Sequence, residues 1–108
     1  KMKNIFSGLF WSAETITEKQ VERNFVKAVK EAGGLAMKFV SPGRVGVPDR
    51  IVLLPGGRAV FAEIKRPGGY LRKSQEAAHR EIRAKGFPVC VIRSDADIRM
   101  FCEFFFDA

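Results

Sequence analysis

Two apolar runs joined by a Pro-Gly-Gly turn constrain the fold of this chain more than any other feature of its sequence. The runs are DRIVLL and RAVFAEIK, within residues 49–65, and a short glycine-rich turn between two such runs is typical of a β-hairpin. Side chains alternate across a strand, so Glu63 and Lys65 share one face of the hairpin. A short turn also brings the outer ends of the two strands together, which places Asp49 beside them. The sequence therefore predicts a charged cluster on one hairpin face.

The chemistry of this cluster favours a metal site. A carboxylate inside a strand is costly to bury unless it is paired or binds a metal. Asp49 and Glu63 together would form a hard, oxygen-rich site suited to Mg²⁺ or Mn²⁺ rather than zinc. Lys65 would hold or activate a water and offset charge in a transition state. The alternative is that Asp49 is a turn residue after proline and that Glu63 and Lys65 are an exposed cross-strand pair.

A helix with one misplaced carboxylate precedes the hairpin. Thr17 and Gln20 form a capping box, and the helix is predicted to end at Gly33-Gly34 after residue 32. Glu22 falls inside its apolar arc. We expect this helix to pack on the same face as Glu63, where Glu22 would add a third carboxylate. The alternative is a partly exposed position at the edge of the arc.

Periodicity predicts the remaining elements. A strand covers 35–40 and a glycine-rich loop 41–48, and the hairpin is followed by a second loop over 66–73, a helix over 74–85, a strand over 87–94 and a final helix over 95–106. The order α-β-β-β-α-β-α indicates an α/β fold, with a central mixed four-stranded sheet flanked by helices. We take 14–108 as one domain and 1–13 as an N-terminal arm or a segment that is not native.

The net charge of +7 is concentrated around the hairpin. Residues 38–85 contain eleven Lys/Arg and four Asp/Glu, and the rest of the chain is balanced. Such a surface favours a polyanion, and nucleic acid fits better than an acidic membrane because no basic amphipathic helix is apparent. The predicted DNA contacts lie in or beside the two loops: Arg44, Arg50, Arg66, Arg72 and Lys73. The sequence has no apolar run of membrane-spanning length, and Cys90 and Cys102 lack zinc-site spacing.

The signature residues resemble those of a known nuclease superfamily. Pro48-Asp49, followed after thirteen residues by Glu63-Ile64-Lys65, resembles the PD-(D/E)XK signature. The segments GVPDRIVL and FAEIKRPGG, with the later Gln75, resemble the VRR-NUC (virus-type replication-repair nuclease) branch over roughly residues 17–95. The resemblance implies a restriction-endonuclease-like fold and metal-dependent hydrolysis of DNA phosphodiesters. Small stand-alone viral members are similar to dimeric resolvases of Holliday junctions.

The resemblance also implies roles for individual residues. Asp49, Glu63 and the Ile64 carbonyl would bind Mg²⁺ or Mn²⁺, with no small-molecule cofactor, and Lys65 would serve the attacking water. Gln75 and Glu22 would support the site, although Gln75 could instead cap its own helix. His79 faces the same side as Gln75, but packing or a phosphate contact explains a lone histidine as well as catalysis does, so we assign it no role.

The final helix is apolar nearly all round. Ile98, Phe101, Cys102 and Phe105 form one stripe, and Met100, Phe104 and Phe106 lie off it. In so small a domain, a second copy of the chain is expected to bury the apolar side chains that lie off the stripe, which predicts a homodimer. The alternative is that these residues close the monomer core together with Phe10 and Trp11.

The sequence thus predicts an Mg²⁺- or Mn²⁺-dependent endodeoxyribonuclease acting on branched DNA, in the cytoplasm of a bacterial host cell if the chain is viral. Two alternatives stay open. One is a nuclease that acts on flaps, nicks or duplex DNA. The other is a catalytically idle DNA-binding module of the same fold, which clustered acids facing phosphates would not favour.

Overall fold

The computed structural model describes residues 16–106. Its elements, in chain order, are α1 (Glu18–Ala32), β1 (Leu35–Lys38), β2 (Arg50–Leu54), β3 (Arg58–Ile64), α2 (Lys73–Ala84), β4 (Val89–Ile92) and α3 (Asp95–Phe106). The predicted order and fold class are confirmed. The predictions for segment 1–13, including Phe10 and Trp11, lie outside the described residues.

The four strands form one sheet in the order β1-β2-β3-β4. The first two pairs are antiparallel, and β3 and β4 are parallel, as expected when a helix connects them. Arg50 pairs with Ala62, so one residue further out Asp49 and Glu63 come to the same end of the hairpin. The register of the hairpin therefore brings the two acids together.

The core lies on the sheet face that carries Val60, Ala62 and Ile64. Helices α1 and α3 cover this face, and the rings of Phe25 and Phe101 meet between the helices with centroids 5.0 Å apart. Side chains on β3 alternate, so Phe61 and Glu63 point to the opposite face, toward α2. This face is less completely covered.

Local signals explain where the helices begin and end. The Thr17 hydroxyl accepts a hydrogen bond from the Gln20 amide, and the Gln20 side chain accepts one from the Thr17 amide, as predicted for a capping box. Gly33, at φ 103°, ends α1 in the left-handed conformation that glycine adopts easily. The Ser94 hydroxyl accepts a hydrogen bond from the Asp97 amide at the start of α3.

The apolar stripe predicted on α3 is confirmed. Ile98 and Phe101 are buried, and Cys102 and Phe105 pack against the core. Phe104, predicted to lie off the stripe, is exposed, whereas Phe106, also predicted to lie off it, is partly buried as the alternative of a closed monomer core expects. Phe106 packs against the core cluster, where its ring approaches Gly34, and the missing side chain there makes room for it.

None of the helices found between residues 16 and 106 is both long enough and apolar enough to span a membrane.

Candidate active site

The site is assembled where β2 begins and β3 ends. Asp49 Oδ2 accepts a hydrogen bond of 2.7 Å from the Ile64 backbone amide, and Pro48 before it is fully buried. The proline restricts the backbone and the hydrogen bond restricts the side chain, so the Asp49 carboxylate is held against the end of β3.

Glu63 is the buried acid of the site, with a side chain only 2 % exposed. Its Oε2 accepts a hydrogen bond of 3.0 Å from Gln75 Nε2 and lies 3.9 Å from Lys65 Nζ. Its Oε1 lies 3.5 Å from His79 Nε2 and has no hydrogen-bond partner among the described residues. The alternative of an exposed Glu63–Lys65 pair is therefore wrong, because the carboxylate is buried and one of its oxygens is unsatisfied.

The electrostatics of Glu63 follow from this placement. Burial, and then the neighbouring negative charge of Asp49, raise the pKa of Glu63 to about 8, and Lys65 opposes the shift. Burial, and then the positive charge of Arg83, lower the pKa of His79 from its ordinary value of 6.5, which keeps its imidazole neutral near pH 7. Without a cation, the site therefore favours a proton on Glu63.

These residues fit a divalent cation. Asp49 and Glu63 supply carboxylate oxygens, and the unsatisfied Oε1 of Glu63 is an available acceptor. No cluster of three or more His, Cys, Asp or Glu side chains suited to a metal occurs within residues 16–106. A set of two carboxylates suits Mg²⁺, which keeps several waters and takes further oxygens from a substrate phosphate. The Ile64 carbonyl, directly after Glu63, stays a predicted ligand.

Gln75 connects α2 to this site because the oxygen and the nitrogen of its side-chain amide each form a hydrogen bond. Its Oε1 accepts a hydrogen bond of 2.8 Å from the Arg72 backbone amide, and its Nε2 donates to Glu63. The two roles considered for Gln75, a helix cap and a residue of the site, are therefore combined. The glycine-rich loop packs on the same helix start, since Gly46 lies against the Ser74 carbonyl.

Comparison with known proteins identifies the family. No family model matches the sequence. A phage protein described as "Putative nuclease p44", from Acyrthosiphon pisum secondary endosymbiont phage 1, is 46% identical over 79 residues, which are 73% of this chain and 85% of the relative. A solved structure described as "VRR_NUC domain" superposes with a TM-score of 0.76 at 28% identity, covering 84% of this chain and all of the other. The chain belongs to the VRR-NUC nuclease family. The resemblance stated from the motif is confirmed.

One predicted residue of the VRR-NUC site is placed differently by the structure. Glu22 was expected beside Glu63, but α1 packs on the opposite face, against Val60, Ala62 and Ile64. That expectation was wrong, because the apolar arc of α1 covers the wholly apolar side of β3. The Glu22 carboxylate instead accepts a hydrogen bond of 2.9 Å from Arg50 Nε. The positive partner that an acid in this arc requires is thus an arginine of β2 rather than a metal.

A different acid of α1, Glu18, acts on Glu63 through its charge. Glu18 is exposed in the first turn of the helix, and its charge contributes, as the smallest cause, to the raised pKa of Glu63. Sequence reasoning missed Glu18 because it sought the acid misplaced in the apolar arc. The position of the helix start, near the ends of β2 and β3, gave no signal in the sequence.

His79 was also left without a role, and it proves to be fully buried beside Glu63. The signal for it was present, since His79 follows Gln75 by one helical turn and shares its face. Its ring lies between α2 and β3, and its Nε2 is 3.5 Å from the buried Oε1 of Glu63.

The five predicted DNA contacts separate into two groups. Arg44 forms an ion pair with Glu81, and Arg50 lies within β2, where it pairs with Glu22 and also donates to the Ala36 carbonyl. The other three are mainly surface residues with no ion pair to any residue between 16 and 106: Arg66, Arg72 and Lys73. These three stay predicted DNA contacts.

Proposed function

We propose that this protein is an endodeoxyribonuclease that hydrolyses DNA phosphodiesters with Mg²⁺ or Mn²⁺. The observation that carries the proposal is the buried Glu63 carboxylate, held beside Asp49 with one oxygen unsatisfied. Two acids gathered at one partly buried position repel phosphate and each other when both are ionised, so binding DNA alone would gain nothing from them. A cation between them and the DNA resolves both conflicts.

Each residue has a distinct part in the proposed mechanism. Asp49 and Glu63 would hold the cation, and the cation would supply Lewis-acid stabilisation of the phosphate and lower the pKa of a water beside it. Gln75 fixes the rotation of the Glu63 carboxylate through its hydrogen bond to Oε2. The Lys65 ammonium group, on the same face, donates a hydrogen bond to the attacking water and offsets negative charge as it develops on the phosphate.

We further propose that the active form is a homodimer that prefers branched DNA. One chain carries a single Asp49-Glu63-Lys65 set, whereas resolving a four-way junction takes two incisions. Two-fold symmetry would provide two identical sites at a fixed separation. The exposed Met100 and Phe104 on α3 support an apolar contact between copies. The phage origin of the relative supports action in the cytoplasm of a bacterial cell.

A cleavage panel tests the activity and the substrate together. Linear, nicked, flapped and four-way DNAs would be incubated with Mg²⁺, Mn²⁺ or EDTA. We expect cutting with either metal, none with EDTA, and the highest rate on the four-way DNA. Highest rates on flaps, nicks or plain duplex would correct the substrate while keeping the chemistry.

Neutralising a metal ligand separates catalysis from binding. Asp49→Asn or Glu63→Gln should abolish cleavage and leave DNA binding intact or tighter, because the change removes a cation ligand and also repulsion toward phosphate. Glu31→Gln, an exposed acid at the end of α1 and outside the site, is the control and should cut normally. Near wild-type cutting by Asp49→Asn or Glu63→Gln would show that the metal site is assigned wrongly. Normal DNA binding without any cutting by the wild type would favour the idle module.

A further inference from the structure

A basic groove lies on the side of the sheet away from α2. It has a volume of about 660 Å³ and runs between α1 and the outer strands β1 and β2. Six cationic side chains line it: Lys19, Arg23, Lys27, Lys30, Lys38 and Arg50. We call this surface the α1 groove. It differs from the loop surface on which DNA contacts were predicted, and it shares only Arg50 with that set.

The charge of the α1 groove is almost wholly uncompensated. Glu22 is the acid that lines it, and Arg50 already neutralises Glu22 through their 2.9 Å contact. The other five cations form no ion pair with any residue between 16 and 106. The remaining acids of α1, Glu18 and Glu31, do not line the groove. Folding therefore segregates charges that are interspersed along the helix sequence.

The dimensions of the groove suit an extended polyanion. Lys19 and Lys30 are eleven residues apart on α1, which corresponds to about 16 Å along a helix. A strand of duplex DNA carries a phosphate every 3.4 Å of helix axis, so the row of cations spans roughly five base-pair steps. A single small anion would engage only one or two of these side chains, and nothing would pair with the rest.

One end of the α1 groove lies at the same end of the sheet as the catalytic acids, on the opposite face, because Arg50 pairs with Ala62, directly beside Asp49 and Glu63 in the two strands. Arg50 follows Asp49 directly in the chain, and Lys19 follows Glu18, whose charge acts on Glu63. A DNA backbone bound along the groove would therefore pass around this end of the sheet to reach the site where a phosphodiester is cut. The loop residues Arg66, Arg72 and Lys73 would contact the other flank of the same substrate.

We propose that the α1 groove binds the sugar-phosphate backbone of the DNA segment flanking the cleaved bond. This inference rests on the proposed function, because it assigns a second binding surface to the same substrate. The groove cations do not touch the reacting atoms. They should therefore contribute to affinity and to its dependence on salt, and not to the rate of the chemical step.

The test compares a variant that lacks three positive charges of the α1 groove with a control variant that lacks three positive charges elsewhere on the surface. The groove variant is Lys19→Ala/Arg23→Ala/Lys27→Ala, and the control is Arg80→Ala/Lys85→Ala/Arg99→Ala. All six are exposed helix-surface or helix-end residues and both variants lose the same charge. Binding to four-way and linear duplex DNA would be measured in the Asp49→Asn background over a series of salt concentrations. Cleavage would be measured in the wild-type background.

We expect the groove variant and the control to differ in how strongly DNA affinity depends on salt concentration. The groove variant should bind more weakly, and its slope of log affinity against log salt should fall by roughly 2–3, since each phosphate contact contributes about 0.9. Its KM should rise and its kcat at saturating DNA should stay unchanged, whereas the control should match the wild type. If the triple variant fails to fold, the three substitutions made singly should each lower the slope by roughly 1.

Two outcomes overturn the inference, and they can be told apart. If the wild type cuts DNA but groove variant and control have equal slopes and equal KM, the groove is only a solvated surface and the proposed function stands. If the wild type cuts no DNA under any condition of the cleavage panel, the proposed function fails and the inference fails with it.

Discussion

The Glu63 carboxylate is buried among groups that favour different charge states, because Asp49 raises its pKa and Lys65 lowers it. Its pKa is about 8, above the ordinary value of 4.5. In the metal-free protein, protonated Glu63 therefore stabilises the fold. This contribution is fully present below pH 4.5 and is lost as the pH rises through 8.

The first prediction at this scale follows from that pKa. In EDTA, the free energy of unfolding should fall by at most about 2 kcal/mol between pH 6.5 and 8. The effect of His79, with its lowered pKa, lies mainly below that window and slightly opposes the fall near pH 6.5, where the unfolded histidine still titrates. The effect of Cys90, with its raised pKa, lies above the window. Glu63→Gln should remove the slope, since the amide does not titrate. Urea unfolding at four pH values measures this dependence of the unfolding free energy on pH. An unchanged pH dependence in Glu63→Gln would assign the titration to another group.

Lys65 permits a prediction that separates catalysis from metal binding. Its ammonium group cannot bind a cation, so Lys65→Ala should lower the single-turnover rate by at least tenfold while leaving Mn²⁺ affinity nearly unchanged. Calorimetry of Mn²⁺ binding beside quenched-flow cleavage would measure both. Lys85→Ala, an exposed lysine at the C-terminal end of α2, is the matched control for the rate of the chemical step. Weak Mn²⁺ binding by Lys65→Ala, with the rate restored by excess metal, would reduce Lys65 to a structural role.

At the scale of elements, the contact between the glycine-rich loop and α2 organises the site. Gly46 has φ 86°, and a methyl group there would lie 2.3 Å from the Ser74 carbonyl oxygen. The loop leads directly into Pro48 and Asp49, and Ser74 precedes Gln75. Any separation of loop and helix would therefore move Asp49 and Gln75 relative to each other.

Gly46→Ala should consequently destabilise the protein by more than about 1 kcal/mol and reduce cleavage more than DNA binding. Gly43→Ala is the matched control, since that glycine lies in the same loop without a positive φ and with no atom close to its added methyl group. Thermal unfolding and cleavage rates of the two variants would be compared. Equal stability and equal rates would show that the loop can shift without affecting the site.

The elements themselves were largely predictable, for reasons visible in particular residues. Thr17, Gln20 and Gly33 are local signals, and a helix start or stop depends on few neighbours. The alternation of Ala62, Glu63 and Ile64 assigns the two faces of β3 without knowledge of the rest of the fold. The hairpin turn then sets the register, and the register determines that Asp49 approaches Glu63.

What the sequence could not provide is the side of the sheet on which each helix packs. Helix α1 could have covered either face, and the choice decides whether Glu22 meets Glu63 or Arg50. His79 and Glu18 depend on the same information, because their distances from Glu63 result from packing rather than from chain spacing. Long-range packing of this kind has no short sequence signature.

At the scale of the whole molecule, two apolar surfaces compete as the contact between copies. One is Met100 and Phe104 on α3, and the other is the sheet face carrying Leu35, Met37 and Leu53, which are 53%, 41% and 39% exposed. Neither is covered by the described part of the chain. In a two-fold dimer, the same surface of each copy forms the contact. Only one of these two surfaces can therefore be the main contact of the predicted homodimer.

We expect α3 to provide the contact, because Phe104 is 79% exposed and adjoins an apolar groove beside the edge strand β4. Sedimentation at micromolar concentration should then give twice 12.1 kDa. Phe104→Glu should yield monomers and reduce cutting of four-way DNA more than nicking of duplex. Leu53→Glu is the matched control and should remain dimeric. Monomers from Leu53→Glu alone would move the contact to the sheet, and a wild-type monomer making paired cuts would exclude the dimer.

The two hydrogen bonds of the Gln75 amide also link the proposed cleavage activity to the folding of α2. The same side chain closes the first turn of α2 and orients Glu63. A chain in which that turn has not yet formed, whether newly synthesised or transiently opened, lacks the oriented carboxylate. Under the proposed function, hydrolytic competence should therefore appear and disappear with the first turn of this helix.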